Sequence, residues 1–396
     1  MILGLVLLAE LQTQEPTELV VHEWGTFTTV SGAEGASLEW RPLSGGDDLP
    51  RFVYGTGGTP RGLRHGQTCK GCSHFGCGCG EACSPDSRGN CNKCKTCYVA
   101  TVRMETPILY FYADRETTVS VKVGFPQGKV TEWYPQARSV GSGIDWGGVR
   151  VLPQARPEFP LEKGESHYYP ARETDSAPVR VCGNEGVQHE KFLFYRGAGT
   201  FELPIRASLE GGKTKISSTE EISWVVLFDN ARGSVGYRIL RKVVGEVRSD
   251  VAEKCGAVEQ LGEELVRLLI GDGLFEKEAR AMVKTWRDSW FEEGKRLFYV
   301  VPRRITDAVL PLEIEPKPAK VTRVLVGRLE ILTPEMEKEI RALVERLGDR
   351  SIESRDAASR ALKKYGRFAE PLLRRVLRST EDAELQTRIR KLLEQE

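Results

Sequence analysis

The sequence predicts an α+β multidomain protein: a β-sandwich-like N-terminal domain with a Cys-rich loop insertion, followed by helices and a short α-helical tail. Three observations predict it. From Glu18 to about residue 249, short runs with period-two apolar alternation are separated by Gly and Pro clusters. Eight of the ten cysteines crowd into the Gly-rich, polar stretch Thr68 to Cys97. Past residue 250 the apolar spacing becomes helical.

At 396 residues with 40% hydrophobic content, the chain has room for two or three domains, each with its own core, so it does not need cysteines to fold. Its 57 Lys and Arg balance 56 Asp and Glu and are interspersed with them. No basic field points to nucleic acid or an anionic membrane, so partners of that kind are disfavoured.

The chain opens with an apolar run, Ile2 to Ala9, inside the segment 1–17. A bilayer span needs about 20 apolar residues, so this is no transmembrane helix. It reads as a signal-peptide h-region without its basic n-region, with a small-residue exit at Ala9; an ordinary first strand is the alternative. The first reading predicts an extracytoplasmic location: periplasm, cell envelope or secreted.

Within the β-rich region, 18–249, Val119, Val121, Val123 and Phe125 alternate with polar residues, Pro126 to Lys129 reads as a turn, and Val130 to Tyr134 returns. This predicts a hairpin. Ile222 to Phe228 and Ser234 to Leu240, joined by Asp229 to Gly233, predict a second. In the region 250–332, helical spacing runs from Val258 to Ile270 and stops at Gly271. A second helix, Phe275 to Phe291, puts Ala279, Met282, Val283, Trp286 and Trp290 on one face, a stripe that reads as core. Leu297 to Val301 and Val321 to Leu332 read as strands returning to the sheet, joined across a Pro-rich surface connection.

The tail, 333–396, begins with Thr333 as N-cap and Pro334 at the first helical position. Its helices are interrupted at Gly348 and Gly366. The stretch RDAASRALKKYGRFAEPLLRRVLRSTEDAELQTRIRKLLEQ, with small residues Ala357, Ala358 and Ala361, a Gly break and Pro371 early in the next helix, resembles HEAT-like repeats. One to two such units fit, and about three are needed to stand alone. The tail therefore docks on the β-domain or presents a face to a protein partner.

VVHEWGTFTTV (Val20 to Val30), WRPLSGGDDLPRFVY, METPILYFY, FPQGKVTEWYPQA, EKFLFYRGAGTF and AMVKTWRDSWFEEGKRLFYVVPRR resemble segments of uncharacterised exported proteins of planctomycete-type bacteria. HEWGTFT is the most distinctive word, and the resemblance covers most of the chain. It implies export and a shared fold, and no reaction.

Cys69, Cys72, Cys77, Cys79, Cys83, Cys91, Cys94 and Cys97 include three C-x-x-C spacings and one C-x-C. A C-x-x-C turn converges two thiolates on one ion, and eight thiolates suffice for two tetrahedral zinc sites with Zn–S of about 2.3 Å. His65 and His74 are possible substitutes for a thiolate, and the segment locally resembles zinc-knuckle and metallothionein sequences. Disulfides are the rival cross-link in an oxidising compartment. An iron–sulfur cluster is the least supported: Cys91, Cys94 and Cys97 resemble the first ligands of a ferredoxin motif whose C-x3-C-P element is missing. Cys182 and Cys255 are open between buried thiols and a mutual bridge.

An enzyme would need a convergence of His22, Glu23, Glu105, His189 and Glu190, with Glu132 nearby, acting as acid and base or as ligands of a catalytic metal. Each of these alone reads as a hydrogen-bonded structural residue. There is no H-E-x-x-H, G-x-S-x-G, P-loop or strand-to-helix G-x-G-x-x-G. The favoured expectation is an extracytoplasmic scaffold with a structural zinc-binding loop and a protein partner on the C-terminal helices. The alternative is a metal- or carboxylate-dependent hydrolase centred on those five residues.

Overall fold

The computed structural model describes residues 18–394 apart from 33, 44–47, 56–97, 165, 251–253 and 256. The segment 1–17, the eight clustered cysteines, His65 and His74 lie outside the described residues. The described chain stops at Gly55, in the terminal strand of the larger sheet, and resumes at Tyr98.

Strands dominate the first two thirds of the chain and helices the last, in a mixed α+β architecture with two sheets. Numbered along the chain, the larger sheet runs β14 (Lys254–Cys255), β13 (Ser234–Ser249), β12 (Lys213–Ala231), β15 (Gly294–Val300), β17 (Lys320–Ile331), β1 (Val20–Ser31), β3 (Val102–Tyr112), β10 (Leu193–Gly199), β5 (Gly128–Tyr134) and β2 (Tyr54–Gly55), with β11 (Ile205–Glu210) beside β12. The smaller runs β16 (Leu312–Glu315), β4 (Thr117–Gly124), β7 (Gly143–Val151), β8 (Val179–Gly183) and β9 (Gly186–Glu190), with β6 (Ser139–Val140) on β7. Only β1 and β17 pair in parallel among the described strands.

β1 lies deep in the larger sheet and is buried along nearly its whole length. It does not alternate, because both faces are covered. On one face lie the smaller sheet's valines, Val119, Val121, Val149, Val151, Val179 and Val181, with Trp146 edge-on to Tyr195 at 6.1 Å. On the other lie α1 (Val258–Gly271) and α2 (Glu276–Trp290), where Trp290 packs on Phe298 at 5.2 Å. All of this is one apolar core. The stripe Ala279, Met282, Val283, Trp286 and Trp290 is buried in it.

β12 and β13 form the hairpin expected at 222–240, closed by Arg232 and Gly233 with φ of 53° and 85°, the left-handed pair that a two-residue hairpin turn requires. The hairpin expected between 117–125 and 130–134 does not form. β4 pairs with β7 and β16, whereas β5 pairs with β10 and β2. The chain crosses from the smaller sheet to the larger at Phe125, which is fully buried. Alternation in β4 reported one covered face, not which strand lies beside it.

The tail comprises α4 (Pro334–Arg346), α5 (Ile352–Lys363), α6 (Glu370–Ser379) and α7 (Ala383–Glu394). Thr333 Oγ1 accepts from Met336 N at 3.2 Å and caps α4. α4 packs on α5 and α6 on α7; α4 also meets α6, and α5 meets α7. Ile340, Val344, Leu347, Leu362, Leu373 and Ile389 belong to a core separate from that of the sheets. The short α3 (Arg303–Val309) joins β15 to β16.

Candidate functional site

Alternation along β1 divides HEWGTFT between the two faces of the sheet. His22 faces the helices. Its Nδ1 donates to Glu278 Oε2 at 2.8 Å, and Glu278 also accepts from Tyr112 Oη at 2.8 Å and from the backbone N of Phe275 at 2.8 Å. Glu278 thereby caps the start of α2, and His22 fastens that cap to the sheet. The imidazole lies between the rings of Phe275 and Tyr112, wholly buried, and its Nε2 has no partner.

Glu23 faces the opposite way. It stands directly across from Arg323 in the parallel β1–β17 register and pairs with that guanidinium; Tyr195 Oη donates to its other oxygen. Arg323 also donates to Asp307 Oδ1 at 2.8 Å and to the Leu310 carbonyl at 2.7 Å. Against the downward pull of burial, Glu23 holds the Arg323 pKa above the ordinary arginine value.

Gly25 lies where β3 bulges: Trp24 pairs with Ile108 and Thr26 with Glu105. A Cβ on Gly25 would sit 2.9 Å from Pro107 Cα and 2.9 Å from Leu325 Cδ1, so only glycine fits. Thr106, beside it, holds φ at 49°, a genuine outlier for a β-branched residue. Thr28 Oγ1 donates to Glu105 Oε2 at 2.7 Å, and Arg103 Nε lies 3.1 Å from Oε1. Burial pushes the Glu105 carboxyl up, but Arg103, Arg328 and Thr28 together hold it below the usual range.

Glu190 is clamped by Arg172, whose Nε and Nη2 donate at 2.9 and 2.6 Å, and by Tyr168 Oη at 3.0 Å. His189, its neighbour on β9, belongs to the smaller sheet and is half-buried. The five candidates of the hydrolase reading thus have different partners on different faces, and His22 and Glu23 point away from each other. Glu132 accepts from its neighbour Thr131 beside Arg196. Cys182 is an exposed free thiol, so it is not the buried or bridged cysteine expected. Among the described residues no His, Cys, Asp and Glu side chains group as a metal site.

The constellation that does open to solvent contains the one histidine left unremarked in the sequence, His167. Asp48 takes a two-pronged bond from Arg196, at 2.8 and 2.7 Å. His167 Nδ1 lies 3.4 Å from Asp48 Oδ2, and its Nε2 lies 2.9 Å from Asp288 Oδ2 on α2. Burial alone would raise the Asp48 carboxyl, yet the Arg196 guanidinium, with His167 and Arg103 behind it, holds it well below the usual range. The bond to Asp48 raises the His167 pKa above the ordinary histidine value, against burial and with help from Asp288. Beside this bridge is a cleft of about 670 Å³ lined by Asp48, Ser166, His167, Pro170, Val258 and five residues of the α2 region, Lys284, Thr285, Arg287, Asp288 and Phe291.

No protein-family profile matches the chain, and no curated protein matches it. Among solved structures it is similar to the Fcho1 Mu homology domain of Danio rerio with a bound Eps15 peptide, over 80% of this chain and 97% of that one, at 8% identity and a TM-score of 0.28. A superposition that loose carries no statement about fold or partner.

Proposed function

We propose that the chain is an extracytoplasmic scaffold whose strand core holds a rigid helical platform for a protein partner and carries a zinc-braced, Cys-rich loop. One observation carries this reading: the tail is seated on the core by buried charge. Arg41 donates to Glu370 at 2.9 Å, both side chains nearly inaccessible, while Arg367 reaches Glu292 and lies 3.2 Å from Glu330 in the core. The pairing of α4 with α5 and α6 with α7, stacked like on like, supports the HEAT-like reading. The apolar run Ile2 to Ala9 supports export.

Photo-crosslinking side chains at exposed Glu353, Arg360 and Arg390, compared with exposed Arg206 and Lys213 on the sheets, test the platform in the native cell. The same partner captured from the three tail positions and not from the sheets is expected. Equal capture from both, or none from the tail, rejects the platform. For the loop, native mass spectrometry with and without reductant and chelator is expected to show zinc lost to chelator. Zinc-free protein that gains mass only on reduction replaces zinc with disulfides.

A further inference from the structure

We infer that the Cys-rich loop and the helical tail are coupled, so that cross-links among the loop's cysteines tighten the seat of the tail. This rests on the proposed reading of the loop as cross-linked. Residues 56–97 join the described chain at Gly55 and at Tyr98, and one short segment, 38–43, connects the second of these ends to the tail.

The first end is fixed without help from that segment. Tyr54 is fully buried and pairs with Trp133 on β5, while its Oη donates to Glu185 and accepts from Gln188 Nε2, both at 2.7 Å. The second end is held by segment 38–43. Trp40 N donates to the Ala100 carbonyl at 3.1 Å, Ala100 N donates to the Trp40 carbonyl at 3.0 Å, and the Trp40 indole reaches the Thr101 carbonyl at 3.4 Å. Leu43 packs with Ala100 and Tyr98. The same segment grips the tail. Arg41 donates to Glu370 on α6, with the two side chains 6% and 1% exposed, and Leu38 packs on the tail's core. Separating a buried ion pair strands its charges, and Trp40 and Arg41 are consecutive, so displacement of Trp40 from Ala100 is felt at Glu370.

Chain entropy supplies the coupling. Holding the two ends of a free loop of n residues in place costs about (3/2)RT ln n, so the paired state loses ground as n to the power 3/2. A set of cross-links running from Cys69 to Cys97 leaves only residues 56–68 unlinked, about a third of the segment. Shortening the free chain about threefold favours the Trp40–Ala100 pairing by up to about fivefold. Coupling of this kind is reciprocal, so a poorly seated tail loosens the loop's cross-links by the same factor. The first end, fixed on β5 and by Glu185 and Gln188, passes nothing to the tail.

Hydrogen exchange in the full chain, read by mass spectrometry as isolated and after EDTA with a reductant, tests the coupling. Freeing the cysteines is expected to speed exchange in α6 by up to about fivefold and to leave the β12–β13 hairpin unchanged. In the reverse direction, Leu362→Ala, in the tail's own core, is expected to lower the affinity for zinc, or the resistance of disulfides to reductant, by up to about fivefold. The exchange measurement uses the wild type, so it stands if Leu362→Ala fails to fold. Unchanged exchange in α6 once the cysteines are free, or cross-links of equal strength in folded Leu362→Ala, overturns the coupling and leaves the reading of the loop intact. Protein isolated with neither metal nor disulfide overturns the reading of the loop, and the coupling with it.

Discussion

In the strand core, Glu23, Glu105 and Glu330 are buried, and each is held by arginines from its own or a neighbouring strand. In the C-terminal helices the ion pairs Arg388–Asp356, Arg355–Glu384 and Arg341–Glu337 lie at the surface, while leucines hold the elements together. The difference is one of specification. A one-residue slip of β17 along β1 would turn Arg323 to the opposite face and strand Glu23 in the core without a counter-charge. Buried pairs thus fix the register of the parallel strands. Within the tail the helices can shift slightly on one another without stranding a charge, and packing decides their arrangement there; buried charge enters where the tail meets the core, at Arg41–Glu370 and Arg367–Glu330.

The sharpest way to break this comparison is to remove a core carboxylate. Glu330 lies between Arg296, at 3.2 Å, and Arg328, at 2.5 Å, with Arg367 beyond. Glu330→Gln leaves those guanidiniums buried without their anion and is expected to cost about 3–5 kcal/mol. Six of the seven tryptophans, all but Trp40, belong to the core of the sheets, and none lies in the tail, so their fluorescence during denaturation reports mainly the core. The same residue sets an acid limit. Burial raises its pKa, but the three arginines win and bring it down to about 2 from 4.5. The stabilisation is therefore full above the unfolded value and is lost as pH falls through the folded one.

The second test strikes the tail's own core. Leu362→Ala, at a residue 1% exposed, is expected to cost about 2–4 kcal/mol. Helix signal should then be lost before tryptophan fluorescence changes. A single coincident transition would mean that Arg41–Glu370 and Arg367 bind the two regions into one cooperative unit, and the comparison would fail.

These partners explain what could and could not be read in advance. Period-two and helical spacing are local, so the strand at 321–332, the helix at 276–290 and the capped start of α4 were legible. HEWGTFT was legible as a distinctive word, but its meaning depends on Glu278, 256 residues from His22, and on Arg323, 300 residues from Glu23. No spacing rule reaches that far, and a histidine beside a glutamate resembles acid–base chemistry until their opposite faces are seen. His167 was missed for the same reason, since its carboxylates lie 119 and 121 residues away. Its only local sign was being one of five histidines.

His167 offers an intermediate test, because its bridge is partly buried. Asp48 and Asp288 face its two nitrogens, and Trp286 packs on the ring at 5.0 Å. Its folded pKa is raised, so its contribution is fully present below the unfolded value of about 6.5 and is lost as pH rises through the folded value. The stability difference between the wild type and His167→Gln is expected to be roughly 1 kcal/mol on the acidic side and to shrink towards alkaline pH. A difference that does not vary with pH would show that the imidazole acts there only by packing.

The smallest effect belongs to the tail's surface. Arg388 bridges Asp356 on α5, at 2.8 Å, and Glu384 on its own helix, at 3.2 Å, and in water such a bridge exchanges hydration for a contact of similar worth. Arg388→Gln is expected to leave the unfolding midpoint of the helices unchanged within error. Salt sharpens the contrast, because at 1 M the screening length falls to about 3 Å and removes what little the exposed bridge contributes. The loss in Glu330→Gln should persist in that salt, since Arg296 and Arg328 are buried out of reach of the ions. A loss in Arg388→Gln as large and as salt-resistant as that in Glu330→Gln would show that the helices, too, are held to one another by charge.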